Sequence, residues 1–209
     1  MRFVFTNKLI EKEDCYDRFN NIVLTTCEDE MNEIVVNSSI LEDYIRQNYP
    51  KYKIISSTTK CLTNKEDAKD ELDNEDYFLI CLDYNLNHAN DFLDKLTPKQ
   101  KNKTEFLVNA ICPPACPNRS EHYRLNSLFS LNYGLAYNVR TCPIINNNLY
   151  PEKISTRIEP EEIFNIYKEK GFSYFKLEGR SFDRLTYICN LVKYMVKPEY
   201  HLYIIDIIF

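Results

Sequence analysis

Glycine is scarce in this chain, with only three among 209 residues. A glycine-rich loop of the kind that binds phosphates is missing, and no Ser–His–Asp arrangement of a serine hydrolase stands out. The chain has no run of about 18 apolar residues, so we expect no transmembrane helix and no membrane partner. The N-terminal segment, residues 1–7, is too short and too quickly polar for a signal peptide, which predicts a cytoplasmic protein.

The overall composition is that of one globular domain spanning residues 1–209. Hydrophobic residues make up 44% and charged residues 27% of the chain, which is long enough for a full core. The net charge of −5 gives no global attraction to nucleic acid. In a reducing cytosol, the eight cysteines favour free thiols or metal ligands over disulfides.

Six short apolar runs have the length and composition of strands, and helical signals separate them. Most of the runs are continuous rather than alternating, which is typical of strands buried on both faces of a parallel sheet. One helical signal is Ser39-x-x-Glu42, a capping box. The predicted strands are Arg2–Phe5, Glu33–Val36, Lys53–Ile55, Tyr77–Leu82, Glu105–Val108 and Tyr174–Leu177.

This alternation predicts an α/β fold of the TIM-barrel-like (β/α) type. A complete barrel needs eight strands and about 250 residues, so we expect an incomplete barrel of six to seven parallel strands. The apolar tail at residues 202–209 is the candidate seventh strand. A protein partner that completes the barrel is therefore one expectation. The long stretch at about residues 125–157 is interpreted as an inserted loop that covers the site.

Polar residues follow nearly every predicted strand, at the edge where barrel proteins carry their chemistry. Turn formation alone also favours Asn, Asp and Ser at single positions of this kind. Their recurrence across six units predicts a polar pocket. The predicted substrate-binding residues at or near strand ends are Asn37, Lys60, Asp83, Asn109, Arg119 and Arg180.

The strand end that most strongly indicates a functional site is Lys176-Leu177-Glu178-Gly179-Arg180. Alternation points Lys176 and Glu178 to the same side of the strand, where each can offset the charge of the other. The planar guanidinium of Arg180 can donate two parallel hydrogen bonds to a carboxylate or phosphate. The alternative is a structural ion pair followed by a solvated arginine.

Two cysteines leave the fifth predicted strand as Cys112-x3-Cys116, and each is followed by proline. This spacing differs from that of zinc knuckles and ferredoxins. An iron–sulfur cluster takes four thiolates, for which Cys142 and Cys61 are the further candidates. Cys81 and Cys189 are predicted to lie in the core. The alternative is that all eight cysteines are buried or incidental thiols.

A histidine, His122, follows the cysteine pair, three residues after Arg119. It is a candidate base or ligand, and otherwise the start of a solvent-facing helix. His88 and His201 have no supporting context and are predicted to be surface residues.

These residues together resemble a known family. Residues 175–180, Phe-Lys-Leu-Glu-Gly-Arg, are similar to the KxEGR segment of the collagenase-like peptidase family U32, and residues 109–123 resemble its cysteine-containing strand exit. The similarity is strongest over about residues 33–197, and it implies a TIM-barrel-like fold. The histidine-glycine-containing cysteine motif typical of the peptidases is missing. The resemblance implies that Cys112 and Cys116 are cluster ligands and that Lys176, Glu178 and Arg180 line the pocket.

Three functions are consistent with this sequence. The leading expectation is an iron–sulfur or thiolate-metal enzyme that carries a four-iron four-sulfur cluster and hydroxylates or otherwise oxidises a small or nucleotide substrate. Some members of the family act on RNA, so an RNA substrate follows by analogy alone. The second is a U32-type peptidase or hydrolase in which His122 and Glu178, together with Lys176, are catalytic. The third is a non-catalytic partial barrel that acts as a subunit.

Overall fold

The structure is a computed structural model that describes residues 1–131, 155–179 and 183–208. Its core is a six-stranded sheet in which every pairing is parallel and each strand lies beside the next one in the chain. The strands are β1 (Arg2–Phe5), β2 (Glu33–Val36), β3 (Lys53–Ser56), β4 (Leu79–Cys81), β5 (Thr104–Leu107) and β6 (Tyr174–Lys176).

Helices follow every strand, and those that lie between two strands make the crossovers that parallel pairing requires. They are α1 (Arg18–Thr26), α2 (Ser39–Asn48), α3 (Lys65–Asp73), α4 (Asn90–Leu93), α5 (Pro98–Lys103), α6 (Arg119–Leu131), α7 (Pro160–Glu162), α8 (Arg184–Met195) and α9 (His201–Ile208). A π-helical turn, Ile163–Tyr167, continues α7, and short 3₁₀ turns lie at Asp14–Tyr16, Thr58–Lys60, Tyr84–Leu86 and Pro198–Tyr200.

The middle strands of the sheet, β2 to β5, are largely buried on both faces, whereas the edge strands β1 and β6 are less buried. One face packs against the helices through a large cluster that includes Ile34, Ile54 and Phe106. The alternate residues of the same strands, such as Val35 and Ile55, form smaller clusters on the opposite face. Side chains alternate along a strand, so each strand contributes to both layers.

The second face is concave. Arg2 on β1 donates to Glu105 on β5, at an Nη1–Oε1 distance of 2.5 Å, although three strands separate β1 from β5. This contact requires the sheet to curl until its first and fifth strands approach each other. The result is a half-barrel of parallel strands, which confirms the predicted α/β fold and its incomplete TIM-barrel-like form.

One sequence prediction about an element is wrong. The apolar tail forms helix α9 rather than a seventh strand, since a short apolar run has no periodicity that separates a buried strand from a helix. The predicted loop at residues 125–157 begins as helix, because α6 continues to Leu131. Its central part, with Cys142, lies outside the described residues, as does Arg180. In the described ranges no helix has the length and apolar character needed to cross a membrane.

Candidate functional site

A cavity of about 340 Å³ lies in the concave side of the sheet, at the carboxyl ends of the strands. Val4 and Leu107 contribute its apolar surface, and Lys176 and Glu178 are its charged residues. The remaining lining is hydroxyl, amide and phenol: Thr6, Asn7, Ser57, Thr58, Thr59, Tyr123, Asn126, Ser127 and Ser130. The polar pocket predicted from the strand ends is therefore located in the half-barrel, with contributions from β1, β3, β5 and β6.

Helix α6 covers this cavity. Its first residue, Arg119, donates to the carbonyl of Thr58 after β3 at 3.0 Å. Its second half contacts the end of β1, where Asn7 donates to the carbonyl of Ser127 at 3.0 Å. The backbone N–H of Lys8 donates to the Ser127 hydroxyl at 3.1 Å. The helix thus spans from the β3 side to the β1 side, and its second half lies where the sequence predicted the start of an inserted loop.

Glu178 is held rigidly beside the cavity. Its backbone exchanges two hydrogen bonds of 2.8 Å with the side chain of Asn109, and its Oε1 accepts from the N–H of Ile111 at 2.8 Å. Burial raises the pKa of Glu178 above its usual value, although that hydrogen bond and the nearby cations Arg157 and Lys176 oppose the shift. A carboxyl with a raised pKa is characteristic of general acids and bases.

Lys176 precedes Glu178 by two residues and lines the same cavity, as alternation along the strand predicts. Among the residues that the structure describes, no carboxylate lies within ion-pairing distance of Lys176. The predicted charge compensation between Lys176 and Glu178 therefore acts at longer range rather than through a direct salt bridge. An ammonium group without a close counterion in a polar cavity is suited to bind an anionic group.

Asp83 and Arg119 form a buried ion pair beside the cavity, with side chains 1% and 6% exposed. The guanidinium lies over the ring of Tyr84, at 4.0 Å from Cζ to the ring centroid, and faces Tyr123 at 5.4 Å. Both predicted substrate-binding residues are therefore engaged with each other. The pair fixes the start of α6 over the mouth of the half-barrel.

The cysteine pair lies in the loop between β5 and α6. A turn between the two residues places Ala115 in the left-handed region, at a φ of 50°, and Asn85 accepts its N–H at 2.8 Å. Burial raises the pKa of the Cys112 thiol to about 11, which favours the protonated thiol over the thiolate that binds metals. Burial also raises the pKa of Cys61, whose charged neighbours are Arg119, Asp83 and Lys8.

These thiols do not gather into a complete metal site within the described part of the chain. There, no three His, Cys, Asp or Glu side chains are arranged to hold a metal ion. An iron–sulfur cluster takes four thiolates, whereas the described loop supplies the two of Cys112 and Cys116. Cys81 is buried as predicted, but the prediction for Cys189 is wrong, because this residue is exposed on α8.

Other predicted site residues lie away from the cavity. Lys60 turns outward to Glu71 at 2.8 Å and the Tyr77 hydroxyl at 2.7 Å. Asn37 does not line the cavity but donates to the hydroxyl of the lining residue Thr59 at 2.7 Å. His122 is half-buried on α6 and is not one of the lining residues; burial lowers its pKa.

His88 is exposed, as predicted, although its ring is hydrogen-bonded. Its Nε2 lies 2.7 Å from the carbonyl oxygen of Arg157, and its Nδ1 lies 3.3 Å from the hydroxyl of Tyr167. The sequence patterns gave no indication of Arg157, which is 7% exposed near Glu178. No predicted strand ends just before Arg157, so the strand-end pattern that located the other polar residues does not point to it.

No protein-family model, curated protein or solved structure matches this chain. The resemblance to the U32 family accordingly depends on the residues of the strand exits alone.

Proposed function

We propose that this chain is a U32-like half-barrel enzyme that binds a small anionic substrate in the cavity beneath α6 and transfers a proton through Glu178. The observation that carries the proposal is the placement of Glu178 and Lys176 in one polar cavity at the carboxyl ends of the strands. Active sites of (β/α) barrel enzymes lie at this edge of the sheet.

Different residues of the cavity bind the substrate and transfer the proton. Lys176 attracts the anionic group, and the hydroxyl and amide groups around it donate and accept hydrogen bonds to the rest of the substrate. Glu178 exchanges a proton with the substrate, since its raised pKa brings its two protonation states closer in free energy near neutral pH. Asn109 positions Glu178 by holding its backbone from both sides.

A ligand screen by thermal shift tests this proposal. Small carboxylates, phosphates and nucleotides are added to the protein, and we expect one class to raise the melting temperature. The stabilisation should disappear in Lys176→Met and persist in Lys12→Met, which removes an exposed lysine on the far part of the β1–α1 loop. Turnover of the bound compound should be lost in Glu178→Gln while binding persists. Equal stabilisation of Lys176→Met and the unsubstituted protein would contradict the proposal.

The iron–sulfur enzyme predicted from the sequence is the second candidate. The turn at Ala115, which holds Cys112 and Cys116 in one loop beside Glu178, favours it. A cluster bound there would supply redox chemistry. The test is an analysis of iron and acid-labile sulfide in protein purified without oxygen. Near-stoichiometric iron and sulfide that disappear in Cys112→Ser but persist in Cys189→Ser would support this candidate, whereas zinc or no metal would exclude it.

A non-catalytic partial barrel is the third candidate. In the described residues, β1 pairs only with β2 and β6 only with β5, so both edges of the sheet are available to a partner protein. Light scattering after gel filtration distinguishes this role, because a stable monomer over a wide concentration range would argue strongly against it.

A further inference from the structure

Arg157 is a buried guanidinium with few partners. Its side chain is 7% exposed, and its Nη2 donates two long hydrogen bonds, to the carbonyl of Asn109 at 3.3 Å and to Oδ1 of Asn190 at 3.4 Å. Its Nε has no hydrogen-bond partner. Within the described ranges, no carboxylate lies close enough to form an ion pair with it. Burial of a charge that forms no direct ion pair costs free energy, so this arrangement is suited to a bound anion.

The unsatisfied polar atoms around Arg157 are clustered. Five buried side-chain atoms in the described residues have no hydrogen-bond partner, and three of them belong to Asn87, Thr156 and Arg157. Asn87 donates to the carbonyl of Thr156 at 2.8 Å, and Thr156 precedes Arg157 in the chain. One small region therefore offers a guanidinium donor, a hydroxyl group and an amide oxygen acceptor. Buried polar groups are usually paired, so such a cluster indicates a ligand or an ordered water.

The charges nearby select the kind of anion. Glu178 lies close enough to Arg157 for the two charges to interact, which disfavours a second negative charge on the ligand. A carboxylate carries one charge and fits the planar edge of a guanidinium better than a phosphate dianion does here. The free amide oxygen of Asn87 requires a hydrogen from the same ligand.

We propose that Arg157, Thr156 and Asn87 form a small buried site for the carboxylate of a hydroxy or amino acid. Arg157 and Thr156 donate to the carboxylate, and Asn87 accepts from the neighbouring hydroxyl or amino group. Arg157 does not line the cavity beneath α6, so this site is separate from the one that Lys176 serves. Binding at this site can therefore be tested independently of the proposed function.

The first test compares small anions by thermal shift, with glycolate, acetate and inorganic phosphate each added at the ionic strength of a sodium chloride control. We expect glycolate to raise the melting temperature more than acetate, and phosphate to act like chloride. Thr156→Val should weaken glycolate binding about tenfold, the effect of losing one hydrogen bond to a charged group. The absence of any carboxylate effect would mean that ordered water alone fills the site, and the proposal would be wrong.

The second test separates a binding role from a structural role. Arg157→Met should fold with a melting temperature equal to or above that of the unsubstituted protein, because it removes a buried charge that forms no direct ion pair. The glycolate effect should vanish in Arg157→Met and persist in Arg184→Met, an exposed arginine on α8. A strong loss of stability in Arg157→Met, or a failure to fold, would show that Arg157 is structural and would overturn the inference.

Lys176→Met distinguishes this site from the cavity. Glycolate binding should survive this substitution. If it is lost in Lys176→Met and retained in Arg157→Met, the carboxylate binds beneath α6, which overturns the inference and supports the proposed function instead.

Discussion

Glu178 shows how burial changes the chemistry of a single residue. Its carboxyl group lies among backbone groups of the strand exits, and burial raises its pKa even though Ile111 and nearby cations stabilise the charged form. The folded protein therefore binds a proton at Glu178 more readily than the unfolded chain does. At this residue, stability falls as the pH rises above the unfolded pKa, and the lost stability is the cost of placing an acid–base group in the site.

Glu178→Gln tests this pKa shift directly. The free energy of unfolding should rise relative to the unsubstituted protein at pH 7, where ionisation of Glu178 opposes folding, and the difference should disappear near pH 4. Urea denaturation at the two pH values measures it. Glu121→Gln is the control with the opposite sign, since its hydrogen bond to Arg124 lowers the pKa of Glu121. A less stable Glu178→Gln at pH 7 would contradict the assignment.

The Asp83–Arg119 pair makes a second prediction at the scale of single residues. Asp83→Ala leaves the guanidinium of Arg119 buried without its carboxylate, which should reduce the free energy of unfolding by roughly 3–5 kcal/mol. Chemical denaturation measures the loss. Asp91→Ala, which breaks an exposed pair with Lys65, should produce no measurable change. Similar values for the two substitutions would mean that the buried pair does not anchor α6.

Helix α2 shows how closely an element can be predicted. The pattern Ser39-x-x-Glu42 predicted the correct helix but placed its cap one residue late. Ser38 is the N-cap, and its hydroxyl accepts from the N–H of Leu41 at 3.5 Å. Both serines suit the N-cap position chemically, and in the fold the buried Ser38 occupies it.

The two serines provide a matched test of this cap. Ser38→Ala should lower the free energy of unfolding by about 0.5–1 kcal/mol, the lower part of the range for caps, because the hydrogen bond is long. Ser39→Ala removes an exposed hydroxyl in the first turn and should change little. Equal losses in urea denaturation would mean that Ser38 does not cap α2.

The curl of the sheet is a property of the whole molecule, and the Arg2–Glu105 contact depends on it. Glu105 is 2% exposed and contacts an arginine 103 residues earlier in the chain. Arg2 also donates to Glu33 on the neighbouring strand at 2.6 Å. One arginine thus connects an adjacent strand with a strand across the concave face.

Arg2→Met tests whether this contact stabilises the half-barrel. It leaves Glu105 buried without a counterion, so we expect a loss of roughly 2–4 kcal/mol, less than for a fully buried pair because Arg2 is partly exposed. Glu33→Gln retains the contact between Arg2 and Glu105 and should cost clearly less. If denaturation curves show a larger loss of stability for Glu33→Gln than for Arg2→Met, the contact between Arg2 and Glu33 on neighbouring strands contributes more than the contact across the concave face.

The sequence alone predicted six parallel strands, their order of appearance and the polar character of their carboxyl ends. These features follow from local patterns, since a continuous apolar run and the residue after it are neighbours in the chain. The pocket at the strand ends was predictable for the same reason, and Lys176 and Glu178 do line it.

Other features depend on contacts between distant residues, which local patterns do not contain. Helix α6 lies over the cavity because Asn7 and Ser127 meet across 120 residues, and Arg157 is buried near Glu178 only after β5 and α8 pack around it. Residues 202–208 are helical although their apolar run also suits a strand. Backbone propensity and hydrophobicity act over a few residues, whereas the curl of the sheet brings together side chains from opposite ends of the chain, and that closure forms the cavity.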